Sequence, residues 1–166
     1  MAEHKTNAMR LLDKAGIRYR VWNYDPGDGN IHGTAVAAKI GKPPETVFKT
    51  LVAHQGASLF VYVIPVGSEL DLKQAAKAAG AKKIEMLPVK DLLKHTGYIR
   101  GGCSPVGMKK LYPTYIDDSA MKLETILVSA GKIGLQVELE PASLAAQVSA
   151  KYAPLAKRGA GEAASN

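Results

Sequence analysis

Apolar residues recur along the chain with two periods, and the changes between them mark the elements. Ala8, Leu11, Leu12 and Ala15 fall at i, i+3, i+4 and i+7, which predicts a helix over 6–15 opened by Thr6 and closed by Gly16. Residues 17–24 are rich in Tyr, Val and Trp and predict a strand. The cluster Asp25-Pro26-Gly27-Asp28-Gly29-Asn30 is a turn. A short alanine-rich helix over 34–40 ends at Gly41, and Pro43-Pro44 bars its continuation. Strands over 46–54 and 59–64, joined by Gln55-Gly56-Ala57-Ser58, read as a hairpin. Asp71 with Gln74 three residues on is a capping-box arrangement, and it opens a helix with Leu72, Ala75, Ala76 and Ala79 facing inward and Gly80 at its end. A short strand over 84–86 and a helix over 88–95, starting on proline, follow. Strands over 114–117, 125–129 and 134–139, the last two turning at Ala130-Gly131-Lys132, lead to a final helix over 141–150.

Strands outnumber helices in this order, and hairpins are as frequent as crossovers, which is not the regular alternation of a doubly wound fold. The class expected is α+β (mixed α/β), a curved, mainly antiparallel mixed sheet with helices outside. The 166 residues, 46% hydrophobic and 22% charged, suit one domain with a sizeable core. Residues 1–156 are expected to form it, with 157–166 a flexible tail. The longest apolar run, 59–64, is too short to cross a bilayer, and the polar N-terminus lacks a secretory apolar segment. The single cysteine excludes an internal disulfide, and a cytoplasmic location is expected. Lys and Arg outnumber Asp and Glu by 22 to 15, a net +7, which favours a polyanionic partner such as RNA. The basic residues are nevertheless dispersed, and no RNP-like aromatic motif accompanies them.

The candidate chemistry is sparse. Gly97 to Lys110 holds four glycines and Pro105 between two apolar segments. It reads either as a wide turn or as a loop whose amides wrap a small polar group. Lys49 alternates with Val47, Leu51 and Ala53 on one face of a predicted strand. It must either carry its ammonium out to water or meet an acceptor, such as a phosphate or a carbonyl oxygen. Cys103 has no histidine at a recognisable spacing and is read as a bystander. Ser129 stands in a turn and lacks a Gly-x-Ser-x-Gly context. Asp117 and Asp118 are adjacent, so on a strand they point to opposite faces. No metal site and no cofactor is expected.

Four segments in this order, Phe48-Lys49-Thr50-Leu51, Leu70-Asp71-Leu72-Lys73, Gly97 to Gly107 and Val128 to Leu135, resemble the YbaK/EbsC family. Its members are freestanding relatives of the editing domain inserted in bacterial prolyl-tRNA synthetase. The similarity spans residues 6–156. It implies that domain's fold, a curved sheet or barrel flanked by helices, and a deacylase that hydrolyses misacylated Cys-tRNA(Pro). It also implies the acceptor end of tRNA(Pro) and prolyl-tRNA synthetase as partners, with no membrane. Carried over by position, Lys49 matches the pocket lysine expected to engage the terminal phosphate or ribose. Gly101 and Pro105 bracket the Gly-x-x-x-Pro loop, with Gly102 and Ser104 inside it, whose amides are expected to hold the aminoacyl carbonyl region. Tyr24 and Ser129 match a pocket tyrosine and serine, and Thr50 follows the lysine as in the family. Catalytic roles are thereby implied for Lys49, Gly101 and Ser129, and substrate contacts for Tyr24, Thr50, Gly102, Ser104, Pro105 and Gln136. Gln136 departs from the pattern, since the family often carries aspartate there and a glutamine cannot act as a general base. Either that aspartate is not the base, or this member is weaker or differently selective. The chemistry implied is substrate-assisted, with the cysteine thiol attacking its own ester carbonyl. Editing of another misacylated tRNA such as Ala-tRNA(Pro), and a non-catalytic tRNA- or synthetase-binding module, are the alternatives.

Overall fold

The structure is a computed structural model and describes residues 5–157. The tail expected over 157–166 lies, beyond Lys157, outside the described residues. Helix α1 (Asn7–Lys14) begins where Thr6 Oγ1 accepts from the Met9 N–H at 3.2 Å, and Gly16 at φ +72° turns the chain out of it. Its Ala8, Met9 and Leu12 sink into the largest core cluster beside Phe48, Val63, Ile116, Val128 and Val137. Strand β1 (Arg20–Asn23) is shorter than the 17–24 expected, because the Ile17 N–H is spent closing α1 on the Leu12 carbonyl. Helix α2 (Gly33–Ile40) ends at Gly41 with φ +70°, and a 3₁₀ turn (Pro44–Thr46) takes the place of the strand start expected at Thr46.

Strands β2 (Phe48–Gln55) and β3 (Ser58–Pro65) form the expected hairpin, with Lys49 opposite Ile64. Asp71 caps α3 (Leu72–Ala79) by accepting from the Lys73 and Gln74 N–H groups at 3.0 and 3.1 Å. Only Ala75 and Ala76 of the expected inner face are buried in α3, while Leu72 is 41% exposed. The small alanines let the helix settle onto Tyr62, whose hydroxyl donates to the Ala75 carbonyl at 2.8 Å. Strand β4 (Glu85–Met86) pairs with β2, and α4 (Val89–Thr96) closes at Gly97. Strand β5 (Thr114–Asp117), a 3₁₀ turn (Asp118–Lys122), β6 (Ile126–Ser129), β7 (Leu135–Leu139), α5 (Pro141–Val148) and β8 (Lys151–Ala153) complete the order.

Among the described residues the strands form two sheets and no closed barrel. One runs β1-β7-β6 and is antiparallel throughout. The other runs β4-β2-β3-β5-β8, antiparallel around β2 and parallel from β3 to β8. A parallel bridge between Val47 and Leu127 joins them. Asp117 fastens the last strand: its carboxylate accepts from the Leu155 and Ala156 N–H groups, both at 2.9 Å, and from Ser119 at 3.2 Å. The mixed α+β class with helices around mainly antiparallel sheets is therefore as expected. Among the described residues no helix is long and apolar enough to cross a membrane.

Candidate active site

A cleft of about 640 Å³ opens beside the Val47–Leu127 bridge, at the seam of the two sheets. Its walls are the start of β2, the first turn of α2 with the chain before it, the bend at 100–103, Tyr24 just past β1, and Ser129 and Gln136. Ser129 ends β6 and Gln136 stands near the start of β7 as its register partner. Directly opposed residues of an antiparallel pair share one face, so both side chains reach the cleft. Tyr24 is held by its N–H, which donates to the Gly134 carbonyl at 3.0 Å.

Lys49 is half-buried and makes no ion pair among the described residues. Burial pulls its ammonium below the usual lysine range, and the more distant Glu69 carboxylate opposes this only in part. A partly desolvated, unpaired cation gains more from an anionic or carbonyl ligand than one in water. Three uncharged polar groups share the cleft. The Tyr24 hydroxyl, Thr50 Oγ1 and Gln136 Oε1 are buried without a hydrogen-bond partner, and all three residues line it. Leaving a buried polar group unpaired costs about 1–3 kcal/mol, so their gathering in one place marks a surface that a polar ligand completes. The Ser129 oxygen accepts from the Gly131 N–H at 3.1 Å, which leaves its own proton to donate.

The 99–102 bend is a β-turn closed by the Gly102 N–H on the Ile99 carbonyl at 3.0 Å. Gly101 at φ +89° takes the third position, where a type II turn needs a positive φ. Gly101 faces the cleft, and a Cβ there would come within 3.0 Å of Ile31. Gly102 lies behind it: a Cβ would stand 3.0 to 3.3 Å from the backbone of Lys132 and Ile133. Ser104 is fully buried, and its Oγ accepts from the Val106 N–H at 3.2 Å. Pro105 lines a separate cavity of about 180 Å³ against Leu11, Gln147 and Val148. The structure thus gathers Lys49, Gly101, Ser129, Tyr24, Thr50 and Gln136 into one cleft and leaves Gly102, Ser104 and Pro105 outside its lining. Cys103 borders the cleft but is buried, and burial pushes its thiol up to about 12, against a Thr96 hydrogen bond that lowers it. At neutral pH it stays protonated and is a poor nucleophile.

Ile31, His32, Gly33, Thr34 and Arg100 line the cleft without having been singled out in the sequence. His32 precedes α2 without a side-chain cap, so the positive end of the helix opens onto the cleft. Gly33 admits no side chain, since a Cβ would lie 2.4 Å from Val66. Lys39 of α2 holds the chain before it by reaching the Asp25 and Asn30 carbonyls and the Asp28 carboxylate, at 2.6, 3.0 and 2.7 Å. An uncapped helix start following a glycine-rich turn is the signal that points to this wall. No Asp or Glu lines the cleft, and no group of three His, Cys, Asp or Glu is placed to hold a metal ion, among the described residues.

Residues 32–146 match the family model described as aminoacyl-tRNA editing domain. The chain is 43% identical over 154 residues to a protein of Enterococcus faecalis provisionally named Cys-tRNA(Pro)/Cys-tRNA(Cys) deacylase EbsC, covering 92% of this chain and 94% of that one. Its fold resembles the crystal structure of a provisionally assigned trans-editing enzyme for prolyl tRNA synthetase, with TM-score 0.80 and 19% identity over 93% of this chain and 100% of that one. It also resembles a scaffold protein used to present linear epitopes, with TM-score 0.81 and 20% identity over 92% and 96%.

Proposed function

The chain belongs to the aminoacyl-tRNA editing domain family, and from that premise we propose that it is a deacylase hydrolysing the ester of misacylated Cys-tRNA(Pro). The observation that carries the reading is the cleft itself, which sets an ammonium without an ion pair, a glycine turn and a free serine proton around one space with no carboxylate in its lining among the described residues. Lys49 engages the terminal phosphate or ribose oxygens. The Gly101 turn and the Ser129 hydroxyl face the carbonyl oxygen as it gains charge. Tyr24, Thr50 and Gln136 hold the rest of the aminoacyl group, while Gly102, Ser104 and Pro105 fix the loop.

An aminoacyl ester is intrinsically labile, so positioning and oxyanion donors carry much of the catalysis. With Cys103 protonated, the nucleophile is the substrate's own thiol. Its sulfur bonds to the ester carbonyl carbon and gives up its proton to solvent. The carbon–oxygen bond to the tRNA breaks, and the leaving 3′ oxygen takes up a proton. Water then opens the four-membered thiolactone to free cysteine. Alanine and serine carry no thiol, which makes the selectivity chemical rather than steric. Prolyl-tRNA synthetase, the enzyme for which the structurally similar protein is named as an editor, is the partner that supplies the mischarged tRNA(Pro), in the cytoplasm. Residues 1–156 act as one editing domain, a reading favoured by α1, which lies ahead of the matched segment and packs into the main core cluster.

The test is deacylation of Cys-, Ala- and Ser-tRNA(Pro) by wild type and by Lys49→Ala. Turnover of the cysteinyl ester alone, lost in the variant, is the expected outcome. Turnover of the alanyl ester alone removes the thiol step, and no turnover of any leaves a tRNA- or synthetase-binding module.

A further inference from the structure

The cleft has an electrostatic sign. Its lining residues include the half-buried Lys49, the exposed Arg100 and the first turn of α2 with its positive end, with no Asp or Glu among the described residues. The carboxylate that acts on Lys49 from further off is Glu69, whose side chain is 81% exposed. Cys103 stays a neutral thiol.

Against this stands Gln136, 6% exposed and fixed between its register partners Trp22 and Ser129. Its Oε1 is an acceptor without a donor. An aminoacyl ester brings a donor of its own, an amino group that is cationic or neutral near neutral pH, since α-amino groups ordinarily titrate at about 7.7–8.0. The cationic form meets like charges in a partly desolvated space. A neutral amine meets no such cost and still gives an N–H to Gln136, and so does an amide nitrogen.

We propose that this cleft takes aminoacyl esters whose amino end is uncharged, as the free-base amine or N-acylated, with Gln136 Oε1 accepting from that N–H. This extends the substrate class beyond free aminoacyl esters to N-blocked ones. It rests on the deacylase reading only in taking an aminoacyl ester as the ligand.

Binding separates this from catalysis. Two non-hydrolysable probes serve, 3′-deoxy-3′-(cysteinylamino)adenosine and its N-acetyl derivative, titrated calorimetrically into the full chain at about pH 6 and about pH 9, on either side of the α-amino range. At about pH 6 wild type should bind the acetylated probe at least about tenfold more tightly than the free amine, and by about pH 9 that advantage should be gone. In Gln136→Glu, with a carboxylate at the same place, the free amine should become the tighter ligand at about pH 6. Equal or tighter binding of the free amine by wild type at about pH 6 overturns the proposal and leaves the deacylase reading standing. An unchanged preference in Gln136→Glu overturns the role given to Gln136. Failure of both probes to bind at either pH overturns this inference and the reading beneath it together.

Discussion

Lys49→Met removes the ammonium and keeps a long flexible side chain of similar reach, so folding and chemistry can be separated at one position. In the structure the ammonium has no ionic partner among the described residues, and burial lowers its pKa below the ordinary lysine value. A lysine with a lower pKa folded than unfolded binds fewer protons in the native state throughout the window between the two values. Stability therefore rises with pH across that window, and the cost of the buried charge is fully present below the folded pKa. At neutral pH the methionine variant should be at least as stable as wild type, with the difference shrinking as pH climbs toward 10.5. On the proposed reading the same ammonium makes a charge-assisted hydrogen bond to bound substrate, worth about 1.5–3 kcal/mol. Its loss should lower kcat/KM on Cys-tRNA(Pro) by about 10- to 150-fold. Single-turnover deacylation beside thermal melts over a pH series reads both quantities. A melting temperature that falls at neutral pH makes Lys49 a structural residue, and an unchanged kcat/KM removes it from the site; either result refutes the reasoning.

Cys103→Ala should retain turnover, and native Cys103 should resist iodoacetamide at neutral pH until denaturant exposes it, because burial pushes its thiol up to about 12; rapid native labelling with loss of activity would restore a protein nucleophile. Gly33→Ala drives a methyl to within 2.4 Å of Val66, an overpacking worth about 1–3 kcal/mol, and should lower the urea midpoint as well as activity. Asp117→Ala leaves three backbone N–H groups without their acceptor and should cost about 3–9 kcal/mol at about 1–3 each; hydrogen exchange at Leu155 and Ala156 should quicken first.

The parts of the fold legible in the sequence are those whose determinants are local. Thr6 and Asp71 cap the helices they precede, Gly41, Gly80 and Gly97 end theirs with positive φ, and the turn at 55–58 sets the β2–β3 register. The split into two sheets was not legible. How the sheets meet depends on one bridge between residues 47 and 127, and the seating of the chain end on a carboxylate that ties residues 117 and 155. Neither pairing leaves a periodic trace, and β8, with three residues, is too short to show one. The site divides the same way. Lys49, Gly101 and Ser129 are visible by resemblance to a family pattern, and Gln136 as a departure from it, yet the wall contributed by Ile31 to Thr34 is visible only once Lys39 has pinned the preceding turn.

A motif marks every position that tolerates little change, and two kinds of residue meet that condition. Gly101 faces the cleft, whereas Gly102 and Ser104 make contacts behind it, with the 132–133 backbone and with the Val106 N–H. Substitution at the second kind should shift the loop, so a loss of activity there would not by itself inform on chemistry. Gln136 is of neither kind. Its backbone is fixed by pairing on both sides, through Trp22 and Ser129, while its buried side-chain oxygen bonds to nothing. Exchange between glutamine and an acidic residue there leaves the sheet ladder untouched and changes the charge of the cleft by one. On the proposed reading, with Lys49 and Arg100 and no described carboxylate in the rest of the lining, that one position sets whether the amino end of a substrate meets a complementary charge or a repulsive field. Selectivity in this fold can therefore shift at Gln136 without a compensating change in the core.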